Sequence, residues 1–448
     1  MRLRRRVPKL EATRVRLFPQ APFLARYREP ETVRLSVPAG SVGAGPEDAS
    51  MYAIRPIGKP GPYGLLPTLP PTVLLPPWGG RIGMPAVPSP QGHFDHLLPG
   101  TDPFILAHAY GCARFVLDVW EAYLGERVRW HFRSEVPRLE ISDFPYFANA
   151  RAGWGFLELG AEPHADGSSD PYALNFDIVA HEMGHLIIYS VVGVPDPEDD
   201  TSDYYGFHES AADVVALLAA AHFASVVDEV FEQTRGNLYA INRLSSFGEI
   251  TSSTQIRIAS NGVSLETFAL GWTDEHDLSL PLTGMTFDII VDIFHECLKE
   301  RGLISGAAED LADRLEYVPE RADELQDLFD RDYARQALGF HEAFADARDI
   351  IGTYLAYAWT WLASRPLTYA GVARALLRVD RELNRGRYAR IIRNNALLRG
   401  IGLVEVGPRL APASPDSHGC SVRVMVPERS LPRLPPGLRR QGKWLGSS

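Results

Sequence analysis

"NFDIVAHEMGHLIIYSVV", Asn175–Val192, is the stretch on which the reading of this chain turns. Phe176, Ile178, Val179, Leu186, Ile187 and Val191 distribute apolar side chains around a helix, so a helix buried within a domain is expected over 176 to 193. Residues four apart share a helix face. His181 and His185 can therefore aim imidazole nitrogens at one ion, while Glu182, one step round, faces the ion's open side. With 13 histidines in 448 residues, His-Glu-x-x-His also arises by chance, and the surrounding chain has to decide.

Two imidazoles leave a tetrahedral ion in need of one more protein donor and a water. Three further His-Glu pairs are on offer: His208-Glu209, His295-Glu296 and His341-Glu342. Glu209 is the preferred donor. In "HESAAD", Asp213 follows it by four residues on the same helical face, as a carboxylate able to accept the distal N–H of a ligating His181. Between His185 and Glu209 there is room for the first helix to end, a loop through "PDPEDDTSDYYG", and a second helix expected over 208 to 225. Glu296 and Glu342 are read as solvent-facing helical carboxylates.

Composition excludes some classes. Against 45 basic side chains stand 56 acidic ones, a formal charge of -11, which argues against a general nucleic-acid binder. The basic clusters "MRLRRRVPK" and "RSLPRLPPGLRRQGK" are read as solvated tails, with an electrostatic docking arm as the sharper alternative. Cys112, Cys297 and Cys420 have no CxxC spacing, so neither a thiolate metal site nor a disulfide framework is expected; Cys112 and Cys297 fall in apolar helical patterns, as core thiols do. No apolar run has the length of a signal peptide or a membrane span. The expected location is then the cytoplasm by default, or outside by a non-standard route. Oligomeric state and cleavage specificity do not follow from spacing.

Along the chain, residues 1–100 are expected to be a Pro/Gly-rich arm, extended and partly ordered, because "GKPGPYGLLPTLPPTVLLPPWGG" suits neither continuous helix nor central strand. Residues 101–205 form an N-terminal lobe. It starts with a helix capped by Thr101 or Asp102, and "RVRWHFR" and "GWGFLELG" then alternate like short strands. Residues 206–406 form a helical C-terminal lobe, with one helix at 283 to 301 capped by Thr283 and stopped by Gly302, and another running from Thr368 to Gly386. Residues 407–448 are a Pro-rich, mobile tail.

With "HEMGH" followed by "ESAAD", the chain resembles the gluzincins, and over roughly residues 100 to 404 it is similar to the thermolysin-like neutral metalloproteases, the His₂Glu zinc class. "FANARAGW" resembles that family's substrate-binding edge strand, "IRIASNG" its arginine segment, and "LTGMTFDIIVDIF" the helix after its catalytic histidine. The segment from "LTYAGVARALL" to "NNALLRGIGL" resembles its closing helices. The resemblance implies an α+β protein of two lobes, mixed N-terminal and all-helical C-terminal, with zinc in the cleft. It implies a peptide or protein substrate hydrolysed by a zinc-activated water. One Zn²⁺ would sit on His181, His185 and Glu209 with Asp213 behind them, and Glu182 would be the general base. His276 and either Tyr204 or Tyr205 would stabilise the oxyanion, and Asn149, Ala150 and Arg257 would hold the substrate backbone. A catalytically inactive zinc-containing binding or structural protein on the same fold is the alternative. The chain departs from the family at three places: His276 lies about one helical turn further from the Ser-Gly-type helix, His208 replaces an asparagine, and only Asp177 remains of a calcium site. Bound Ca²⁺ is not expected.

Overall fold

In the computed structural model, residues 11–68, 70–196, 201–239, 246–247, 257–268, 271, 274–312, 314 and 319–403 are described. The expected tail and Cys420 lie outside them. The strands in chain order are β1 (Ala12–Leu17), β2 (Glu31–Pro38), β3 (Met51–Ile54), β4 (Pro56–Ile57), β5 (Gly64–Leu66), β6 (Thr72–Leu74) and β7 (Arg81–Ile82). After helix α1 (Asp102–Leu124) come β8 (Leu139–Asp143), β9 (Ala150–Gly153), β10 (Phe156–Leu159), β11 (Ala161–Pro163) and β12 (Ser169–Pro171). Then follow α2 (Phe176–Val191), α3 (Ser202–Ala220), α4 (Ala224–Thr234), β13 (Ser246–Phe247), β14 (Arg257–Ile258) and α5 (Glu275–Glu300). The last helices are α6 (Gly306–Ala312), α7 (Ala322–Trp361, interrupted at Gln336), α8 (Tyr369–Asn384) and α9 (Ala389–Leu398). The protein is α+β, with a sheet-containing N-terminal region and a helical C-terminal region. Among the described residues, one compact unit takes 11–118 and Phe132–Glu182; a second takes Val119–His131 and those of 183–403.

In the first unit, β3, β8 and β10 run parallel and β9 closes the edge antiparallel to β10. One face of this sheet carries Leu139, Ile141, Leu157 and Leu159, all buried. The other face carries the carboxylates of Glu140 and Glu158, which are also fully buried. Glu140 accepts from the hydroxyls of Tyr52 (2.7 Å) and Tyr63 and from Trp78 N–H (2.8 Å). Glu158 accepts from Lys59 Nζ, Tyr63 N–H (2.9 Å) and Arg151 Nε (3.0 Å). A buried carboxylate has to be compensated: Glu158 pairs with Lys59 and Arg151, and Glu140 is held by three hydrogen-bond donors.

The first hundred residues differ from an extended arm, since seven strands lie between residues 12 and 82. In β1 the alternation of "ATRVRL" buries Thr13, Val15 and Leu17 and pairs with β2; the prolines and glycines keep the later strands short without abolishing them. Residues 127–133 are not the strand that alternation predicted. Glu135 and Val136 both donate to the Phe132 carbonyl at 3.0 Å, closing a turn that buries Trp130 and Phe132 singly.

Helix starts follow their caps. Thr101 Oγ1 accepts from Phe104 N–H (3.4 Å) and Thr368 Oγ1 from Gly371 N–H (3.0 Å), as read; Arg385 and Gly386, with φ of 57° and 82°, end α8. Two starts lie earlier than expected. Helix α3 begins at Ser202, where Thr201 Oγ1 accepts from Tyr204 N–H (3.2 Å), and α5 begins at Glu275, where Asp274 accepts from His276 N–H (2.7 Å). Thr283 therefore lies inside α5 rather than capping it, with Pro281 also inside. By length and hydropathy α5 could cross a membrane, yet 83% of that stretch is buried in the protein. Its apolar positions, Met285, Ile289 and Ile293 among them, are core of the second unit.

Candidate metal centre

Helix α2 is anchored by Asn175, whose side-chain oxygen accepts from Asp177 N–H at 3.1 Å. Asp177 itself accepts from Gln20 Nε2 at 2.9 Å. One turn on, His181 and the adjacent Glu182 are each 8% exposed, and donor atoms of His181, Glu182 and His185 lie within 4.8 Å of one another.

The seating of α3 on α2 depends on Gly184, which the motif reading left as an unspecified position. A Cβ there would stand 2.6 Å from Ala212 Cα, so the two backbones touch and no side chain intervenes. This contact brings His185 Nε2 to 3.5 Å from Glu209 Oε1. Donors held at about 2.0–2.1 Å by one tetrahedral ion stand about 3.3 Å apart, so the pair fits a shared metal. A nitrogen and oxygen donor set suits zinc. On its other side His185 meets His208, Nδ1 to Nδ1 at 3.0 Å. Two facing ring nitrogens share one proton, so one ring donates and the other accepts.

His208 is 4% exposed and lies in a column of rings: His185 at 4.5 Å between centroids, Tyr189 at 3.9 Å and Tyr204 at 5.8 Å. His131 extends the column, 5.4 Å from Tyr189, and burial followed by the neighbouring His208 pushes its pKa down to about 3. No local pattern announces the whole column, because its members come from separate elements; in the sequence His208 stood out as the neighbour of Glu209 and as a departure from the resemblance. Donor atoms of His185, His208 and Glu209 also lie within 4.8 Å of one another.

The other candidates are distributed as follows. Asp213 is 1% exposed, one turn beyond Glu209 on α3. Tyr204 and Tyr205 lie in the first turn of α3 rather than on a loop; the Tyr204 hydroxyl donates to the Gly193 carbonyl at 2.7 Å, and Tyr205 is half-buried. His276 is the second residue of α5, with Nδ1 3.1 Å from Glu209 Oε2. Ala150 opens the edge strand β9, and the Asn149 carbonyl accepts from Gly160 N–H at 3.0 Å. Arg257 opens β14; its side chain lies outside the described residues. Glu296 pairs with Lys299 (3.2 Å) and Glu342 with Arg301 (3.0 Å), as surface carboxylates do.

Two imidazoles and a carboxylate whose donor atoms lie this close together could hold a metal ion. No family model and no curated protein matches the chain. Among solved structures it is similar to the precursor of protealysin, a metalloproteinase from Serratia proteamaculans, at 11% identity over 72% of this chain and 83% of that one, with a TM-score of 0.41. A likeness this distant assigns no residue a role.

Proposed function

We propose that the protein is a zinc-dependent endopeptidase. The observation that carries the reading is the grouping of Glu182 with His181 and His185 on α2, together with Glu209 at 3.5 Å from His185. A structural zinc site has no use for a carboxylate beside its ligands and usually takes four protein donors.

His181, His185 and Glu209 would hold the ion, with Asp213 orienting His181. Zinc bound there would polarise a scissile carbonyl and acidify a water. Glu182, nearly buried, is placed to take the water's proton and to pass it to the leaving amine. The Tyr204 hydroxyl is committed to Gly193, so the tyrosine contribution to the oxyanion falls to Tyr205. Any oxyanion contact from His276 falls to its Nε2, since Nδ1 faces Glu209. Asn149, Ala150 and Arg257 would hold the peptide backbone, as the resemblance implies.

The second reading, a zinc-containing binding or structural protein without turnover, is favoured by those same engagements of Tyr204 and His276. The deciding experiment compares the parent with Glu182→Gln for zinc content and for cleavage of casein, before and after chelation and zinc add-back. Expected are stoichiometric zinc in both and hydrolysis in the parent only. Zinc without hydrolysis in the parent selects the second reading, and a parent that binds no zinc refutes both.

A further inference from the structure

We propose that Arg399 is a positioning residue for the segment that carries Arg257: its guanidinium and its carbonyl together fix the chain leaving β14, and with it the place from which Arg257 meets a peptide. This deepens the proposed function and rests on the duty given there to Arg257. After Ile258 the chain runs to Leu265 without helix or strand, and Ale259 is buried at its start. Backbone groups with no ladder to join must bond elsewhere. Asn261 meets part of that need: its Nδ2 donates to the Ala259 carbonyl (3.2 Å) and to the Leu280 carbonyl on α5 (3.1 Å), and its Oδ1 accepts from Val263 N–H (3.0 Å). Arg399, just past the end of α9, meets the rest. Its Nη1 donates to Asn261 Oδ1 (3.3 Å) and to the Val263 carbonyl (3.2 Å), its Nη2 donates to Asp288 on α5, and its carbonyl accepts from Leu265 N–H (2.9 Å).

Stability alone does not account for this residue. Arg399 is buried, its Nε has no partner, and a buried ion pair is ordinarily no more stabilising than apolar residues of the same volume. Gly284 lies inside α5, where glycine is less favourable than alanine by about 1 kcal/mol. A Cβ there would stand 2.8 Å from Arg399 Cζ and 2.9 Å from Nη2, so the guanidinium rests on bare helix backbone. What the arrangement supplies is direction. A planar fork of fixed N–H groups holds Asn261, Val263 and Asp288 at set angles, which the single ammonium of a lysine does not. The segment after Arg257 is thereby tied to α5 and α9 at once.

The test measures kcat and KM on a quenched-fluorescence peptide for the full-length, zinc-loaded parent, Arg257→Ala, Arg399→Lys and the double variant. A contact made equally to ground and transition states appears in KM alone, and losing a hydrogen bond from a charged donor is worth about 10-fold or more. Arg257→Ala and Arg399→Lys should therefore each raise KM by about 10-fold, with kcat and zinc content near parental. The double variant should be no weaker than Arg257→Ala, because Arg399 acts only through that residue. Gly284→Ala keeps every N–H group but displaces the guanidinium, and should raise KM in the same sense. Parental KM in both Arg399→Lys and Gly284→Ala would overturn the proposal, and so would a double variant in which the two effects multiply. Parental KM in Arg257→Ala would refute the duty of Arg257, and a parent without hydrolysis would refute the proposed function; each removes this inference too, and each is read without altering Arg399.

Discussion

Gly184→Ala is the substitution that most directly asks whether contact between α2 and α3 builds the centre. The new Cβ would meet Ala212 Cα at 2.6 Å and Ala212 Cβ and carbonyl at 3.1 Å. Unbonded carbons rest about 3.5–4.0 Å apart, so the helices must separate by about 1 Å. Overpacking of this kind costs about 1–3 kcal/mol, and the better helix propensity of alanine offsets about 1 kcal/mol of it. The net loss of stability is therefore about 0–2 kcal/mol. The effect on the metal is larger, because His185 is the next residue on α2 and Glu209 lies three residues before Ala212 on α3. Donor distances tolerate only about ±0.2 Å, so a shift of about 1 Å forces one ligand off its place. Zinc affinity should fall by at least the roughly 10 to 100-fold seen when a ligand is merely misoriented. The assay is chelator competition, with thermal melts of the apo and zinc-loaded protein. Gly306→Ala, where nothing lies within 4 Å, is the control and should leave both unchanged. Parental affinity in Gly184→Ala would refute the claim that this backbone contact positions the site.

Three further outcomes are expected. His185→Ala and Glu209→Ala should each lose zinc, measured as metal content after gel filtration, because either leaves an incomplete donor set. Asp213→Ala should keep a site but bind zinc about 10 to 100-fold more weakly, and unchanged affinity would return Asp213 to a plain core role. Acid should destabilise the fold through His108, whose Nε2 accepts from Phe18 N–H (2.9 Å) and whose Nδ1 therefore donates to the Ala173 carbonyl (2.8 Å). Burial holds its pKa at about 4, below the ordinary 6.5. The unfolded chain binds this proton first as pH falls, so stability is full above about 6.5 and declines toward pH 4, by up to about 3 kcal/mol. Urea midpoints measured from pH 7 to 4 should fall, and His108→Gln should show a shallower slope; parallel slopes would count against this assignment.

Where a signal was local, the sequence was readable. The apolar positions around His181 and His185 give a buried helix, and Thr101 and Thr368 cap where their hydroxyls suggest. Elsewhere local rules conflicted with packing. "DDTSDYYG" looks like a loop, yet Thr201 caps a helix through it; Pro281 looks like a boundary, yet Asp274 starts α5 before it. In the first hundred residues, proline and glycine content outweighed the alternation of β1. Within the candidate site, the common face of His181 and His185 with Glu182 beside it follows from helical spacing. The His185–His208 bond, the Glu209–His276 pair and the Gly184–Ala212 contact join residues from different helices, which periodicity does not connect.

The buried face of the β3–β8–β10 sheet also bears on how this chain can vary. Replacing Glu158 alone would leave Lys59 and Arg151 facing a dry interior without their partner, and replacing Lys59 alone would strip a fully buried carboxylate of one of its cations. Each single step costs about 3–5 kcal/mol, whereas exchanging the whole set for apolar residues of similar volume costs far less. Positions 59, 151 and 158 are therefore free to drift only in concert. In distant relatives of this unit, correlated change at those three positions would mark descent after the histidine motif itself had been lost.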